Sequence, residues 1–168
     1  MKSIFKLLFA AFLTVAPLTA NAQSNVAHIN VQQLISEMPE VIAAQNELAK
    51  LEKDYTTQID NAFKEFQTKA QSYSSDAANQ TDVTNQARQK ELESMQTNLQ
   101  EFRDSAAQEL QKKQMDLMTP LLEKARNAIN KVGEEQGFNY VIDSSPNGGI
   151  ILANGKDLLA DVKKELGF

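Results

Sequence analysis

Cysteine and tryptophan are absent from the 168 residues. Without cysteine there are no disulfides, thiolate nucleophiles or thiolate metal sites, so stability must come from packing and association. The single histidine, His28, lies in a strand-like segment beside no acidic pattern, a weak basis for acid–base catalysis or a metal centre. Glycine is confined to the last 36 residues, where Gly133, Gly137, Gly148, Gly149, Gly155 and Gly167 all lie. The Gly148-Gly149 pair reads as a turn and has no phosphate-cradle pattern. Asp143, Asp157 and Asp161 lack the spacing of a calcium loop. No catalytic residue, metal site or cofactor is expected. Positive charge is also scarce, with 17 Lys and Arg against 22 Asp and Glu, which argues against nucleic acid as a partner.

What is present begins with an address. Lys2 and Lys6 flank the start of an apolar run, Leu7 to Ala16, followed by Pro17 and the small-x-small pattern Ala20-Asn21-Ala22. The run is shorter than the roughly 20 apolar residues that span a bilayer. Residues 1–22 are therefore read as a signal peptide cleaved after Ala22, with export to the periplasm and at most peripheral membrane contact. No cysteine follows to make a lipoprotein. Removing the segment takes away two lysines and no acid, lowering the net charge from −5 to −7.

The long glycine-free stretch carries two helical stripes. Leu92, Met95, Leu99, Phe102, Ala106, Leu110, Leu117, Leu121, Ala125, Ala128 and Val132 recur by steps of three or four with one step of seven, a period near 3.6. Ala44, Leu48, Leu51, Tyr55, Ile59, Ala62 and Phe66 do the same upstream. Paired antiparallel, the stripes put Ala62 against Leu92, Tyr55 against Leu99 and Ala44 against Leu110, with the turn centred near residue 77. Thr81 is placed as an N-cap, with Asp82 in the first turn where the helix dipole favours it. Arms of this length reach on the order of 50 Å at about 1.5 Å per residue. Asp60 with Lys64, Glu65 with Lys69 and Glu109 with Lys113 are spaced as intrahelical ion pairs. Pro120 interrupts the second arm and predicts a kink or bulge over Asp116–Thr119.

The expected fold is α+β: a long antiparallel helical hairpin projecting from a small β-rich oligomerisation body. Residues 23–38 give the body its first strand, Val26 to Val31, and a short helix. Residues 39–119 form the hairpin, its tip near 74–81. Residues 120–168 return to the body, with Gly137 stopping the helix, Phe138 to Asp143 as a strand, Ser144 to Gly149 as a turn and Ile150 to Ala153 as a strand. A last helix from Asp157 to Leu166 turns Leu158, Leu159, Val162 and Leu166 inward. About 55 residues cannot bury a self-sufficient core, and a three-stranded sheet leaves two edges open. Copies of the body, through Ile29, Val31, Val141, Ile150 and Leu152, are expected to join and set several prongs around one axis.

An exported chain with a short first strand, a glycine-free hairpin, Gly137 followed by Phe138-Asn139-Tyr140-Val141-Ile142-Asp143, and a last helix opened by Lys156-Asp157-Leu158-Leu159-Ala160-Asp161-Val162 resembles the Skp/OmpH family of periplasmic chaperones. The resemblance implies a homotrimer whose three tentacles hold unfolded outer-membrane β-barrel proteins without ATP, preventing their aggregation. Two features depart from the family: Leu159 stands where a threonine is common, and the chain is acidic where the best-known members are basic. Such a holdase needs plural, adaptable contacts. Flexible Met95, Met115 and Met118, Phe63 one step off the stripe, and Tyr73 at a tip expected to fray are the client-contact candidates, with Phe63 and Met115 foremost. The rival function is a structural coiled-coil spacer or adaptor that binds one fixed envelope partner.

Overall fold

A computed structural model describes residues 25–146 and 148–168; the signal peptide and its cleavage point lie outside them. Strand β1 is Val26–Ile29 and helix α1 is Val31–Glu37. The two arms are α2, Pro39–Asp76, and α3, Asp82–Glu135, joined by a 3-10 turn at Ala77–Asn79. Strands β2, Tyr140–Asp143, and β3, Lys156–Asp157, and helix α4, Leu159–Leu166, complete the chain.

The caps follow from local chemistry. Thr81 accepts a hydrogen bond from the Thr84 amide at the start of α3, and Asn30 does the same for Gln33 at the start of α1. Pro39 opens α2, where its missing amide costs nothing. At the other end of α3, Phe138 N–H donates to the Gly133 carbonyl and Gly137 N–H to that of Glu134, with Gly137 at φ 74°. That paired closure needs the left-handed residue that glycine supplies. Helix α3 runs unbroken through Pro120.

The sheet corrects one expectation. All three strands are parallel in the order β2-β1-β3, with Val26 beside Tyr140, Ile29 beside Asp143 and His28 beside Asp157. Parallel neighbours need a crossover, and the entire hairpin is the crossover from β1 to β2. After β2 the chain must pass to the far side of β1. Ile150 to Ala153 is spent on that passage and forms no strand; the pairing falls to Lys156 and Asp157 instead.

The core joins β1 (Ala27, Ile29), α1 and its cap (Leu34, Met38), the root of α2 (Val41), the end of α3 (Ala125, Ala128, Val132) and α4 with its cap (Leu158, Val162). The body thus reaches past Pro39 into both arms. Gly133 is buried here because a Cβ would stand 2.8 Å from Val141 Cγ2, so only glycine lets α3 lie this close to β2.

Candidate functional site

Along the prong the arms meet in a seam with the expected stripes but a different register. Tyr55 packs edge-on to Phe102, ring centres 5.9 Å apart, not against Leu99. Glu47 pairs with Lys113 at 2.8 Å and Glu91 with Lys69 at 2.6 Å, both symmetric about residue 80 and not 77. The partner of Tyr55 lies three residues later than expected, nearly one helical turn, so each stripe still faces its partner, and the long Glu and Lys side chains reach about one turn further along the seam. The cause of the slip is the 3-10 turn and the Thr81 cap, which put the reversal later than the middle of the polar run.

The tip is fastened. Arg88 donates to Asp76 at 3.1 Å and lies 4.7 Å above the Tyr73 ring; Tyr73 Oη donates to Glu91 at 2.7 Å; the Asn85 amide donates to the Ala77 carbonyl at 2.9 Å. Hydrogen bonds from Asn79, Arg88 and Gln80 hold the Asp76 carboxyl below its ordinary range, and those from Lys69 and Tyr73 do so for Glu91. The fraying expected at Tyr73 is opposed by these contacts. The intrahelical ladder is also largely redrawn: Lys69 keeps Glu65 at 3.7 Å but sits closer to Glu91, Lys113 turns across the seam, and Asp60 and Lys64 make no ion pair among the described residues.

The candidate contact residues fall into two groups. Phe63 and Met115 are 40% and 54% exposed. Phe63 stands at a cavity of about 510 Å³ with Phe66 and Leu99 below and Gln96, Gln100 and Arg103 around it. Met95 is half-buried with Ala62, Leu99 and Phe102 on another side of the seam, Met118 packs against the body core, and Tyr73 is held in the tip network. Periodicity did not reveal Gln96, Gln100 and Arg103 as neighbours of Phe63, because only the true register puts them opposite it.

In the body, Ile29 is fully buried within its own chain, and Val31 and Val141 pack against the core. Ile150, Ile151 and Leu152 lie exposed in the β2–β3 connection, and the edge strand β2 leaves Tyr140 and Ile142 uncovered. His28 is structural. If its Nε2–H donates to the Gly155 carbonyl, its Nδ1 is left to accept from the Ser144 hydroxyl, each at 3.2 Å. Ser145, 6% exposed, donates its one hydroxyl proton to the Asp143 carboxylate, lies 3.1 Å from Asn30 Oδ1 and accepts from the Gln32 amide. Burial raises the Asp143 carboxyl, but hydrogen bonds from the Ser145 hydroxyl and amide and from the Val31 amide outweigh it and hold the group low.

The profile of the outer membrane protein (OmpH-like) family matches residues 25–166. The chain is 28% identical over 169 residues to chaperone protein Skp of Yersinia enterocolitica, covering 96% of this chain and 98% of that one. To chaperone protein Skp of Pectobacterium atrosepticum it is 20% identical over 151 residues, 90% of each. A crystal structure described as an outer membrane chaperone (OmpH-like) from Caulobacter crescentus aligns with a TM-score of 0.76 over 84% of this chain and 83% of that one; at 12% identity the likeness speaks for the fold alone. Because the match runs from the first strand through both arms into the last helix, the chain belongs to the OmpH-like outer membrane protein family.

Proposed function

We propose that this protein is an ATP-independent periplasmic holdase, a homotrimer that shelters unfolded outer-membrane β-barrel proteins between its prongs. Residues 1–22 serve as the export signal and are removed after Ala22. The names of the Skp relatives support the chaperone role. The observation that carries the assembly is the body's uncovered apolar surface: Tyr140 and Ile142 on an edge strand, with Ile150, Ile151 and Leu152 in the connection that follows. In a body with so small a core, an open sheet edge and five large exposed apolar side chains favour association with other copies. No described helix is long and apolar enough to cross a membrane.

The test has two readouts on the mature chain. Sedimentation equilibrium should give three times the chain mass, and a stoichiometric excess should suppress turbidity when a urea-denatured barrel protein is diluted. A stable, compact single copy would remove the cage. A second reading, a stiff spacer that binds one fixed envelope partner, draws support from the ion pairs that bolt the arms together; unchanged turbidity beside an oligomeric mass would favour it.

A further inference from the structure

The prong has two chemically different sides. Glu40 with Lys124, Glu47 with Lys113 and Lys69 with Glu91 all tie arm to arm along one of them. Their spacing keeps them in step, since Glu40 and Glu47 are seven residues apart and Lys113 and Lys124 eleven, both close to whole numbers of turns. Glu65, which also reaches Lys69, belongs to this side. Phe63 is two residues away, about 200° around the helix at 3.6 residues per turn, and so faces the other. Ile42, exposed like Phe63, precedes it by three heptads and drifts only about 60° from the same direction.

The two sides also differ in what they present to solvent: the large apolar side chains of Ile42 and Phe63 on one, the cross-arm ion pairs on the other. Each charge in the three cross-arm pairs has its partner. Around Phe63 the Gln96 amide, the Glu101 carboxylate and the Arg103 guanidinium are exposed and take no hydrogen-bond or ion-pair partner among the described residues, and they line one cavity with Phe66 and Leu99. One free cation, one free anion and an unengaged amide around an apolar floor match an extended polypeptide, which offers backbone donors and acceptors, an apolar side chain and charge of either sign. A lipid headgroup or a nucleic acid strand would call for a surplus of positive charge, which this groove lacks.

We propose that the Phe63 side of the hairpin is the client-bearing side, its groove taking an extended segment of unfolded polypeptide, while the ion-paired side stays in solvent. The proposal rests on the holdase reading and adds to it a direction: clients touch Phe63, Ile42 and the Gln96 amide, pass over Gln100, whose own amide donates to Asp104, and leave Asp54 and Asn98 bare. Asp54 follows Glu47 by seven residues and Asn98 lines the hollow beside Glu65, so both mark the ion-paired side.

The lack of native cysteine makes the test clean. Single variants Ile42→Cys, Gln100→Cys, Asp54→Cys and Asn98→Cys, all at exposed positions, are reacted with a maleimide in the full-length mature protein, alone and with a urea-diluted outer-membrane barrel protein. Labelling at 42 and 100 should slow at least fivefold with client present, and at 54 and 98 less than twofold. Equal slowing on both sides, stronger slowing at 54 and 98, or none at any position while turbidity is still suppressed would overturn the proposal and leave the holdase reading standing. Unsuppressed turbidity with the parent chain would bring down both.

Discussion

Helix α3 passes through two environments, and the contrast shows where this molecule keeps its stability. At its end, Ala125, Ala128 and Val132 are buried among residues from β1, α1, α2 and α4. Farther out the same stripe meets a single neighbour, and only Leu99 and Ala106 are buried there. Equal periodicity therefore yields unequal burial, because a side chain enclosed by several elements loses most of its water contact and one on a two-helix seam keeps some. The body supplies cohesion; the prong supplies reach and surface.

The largest expected effect tests that contrast directly. Leu34→Ala, in the body, should cost about 3 kcal/mol, and Leu99→Ala, in the seam, about 1 kcal/mol, since solvent and neighbours can close over an open site. Urea denaturation followed by circular dichroism at fixed protein concentration measures both. Similar losses would mean the prong is as cohesive as the body.

Next is Gly133→Ala. Helix propensity alone would make it stabilising by about 1 kcal/mol. The new Cβ would stand 2.8 Å from Val141 Cγ2, and overpacking against a stiff β-branched side chain costs about 1 to 3 kcal/mol. The net should be a loss of about 1 kcal/mol, read as a lower urea midpoint. A higher midpoint would show that β2 yields easily and that the body is looser than its burial implies.

How legible each region was follows from the same contrast. The prong was readable because its repeating unit is local: period, caps at Thr81 and Gly137, and Pro39 at a helix start all lie within a few residues of what they control. Its register was not, because three residues of slip leave every stripe intact while exchanging Leu99 for Phe102 opposite Tyr55. The body was readable in content but not in connection. Ile150 to Ala153 has strand composition, yet parallel pairing on the far side of β1 makes it a connector. Lys156 and Asp157 pair through backbone groups, for which side-chain pattern is no guide. Phe63 was visible from its phase, whereas its polar neighbours required the register.

At the tip the contrast should blur, since there polar contacts replace burial. Arg88→Ala removes one of the three groups that hold Asp76 and the cation that covers Tyr73, and should speed hydrogen exchange of amides over residues 74–90 severalfold while leaving those of the body unchanged. Acid should do the same. Asp76 and Glu91 have depressed folded-state values relative to 3.8 and 4.5, so their stabilisation is present in full above those unfolded values and is lost as pH falls through the lower folded ones. Tip amides should therefore lose protection below about pH 4 before body amides lose theirs. Glu37, Asp143 and Asp161 in the body are held low as well, so acid also acts there, and Arg88→Ala separates the two because it touches the tip alone.

The smallest effect distinguishes how the arms are joined. Lys113 stands one turn from Glu109 on its own helix and across the seam from Glu47, and the structure chooses Glu47 at 2.8 Å. Both partners are at least 40% exposed, so the pair should contribute only about 0.3 kcal/mol and weaken with added salt. A double-mutant cycle of Lys113→Ala with Glu47→Ala should recover that coupling, and the cycle with Glu109→Ala should recover less. The reverse ranking would mean the charged side of the prong stiffens each helix separately instead of bolting one to the other. The arms would then be held by their apolar seam alone, and the ion-paired side would lose its claim to be satisfied within the molecule.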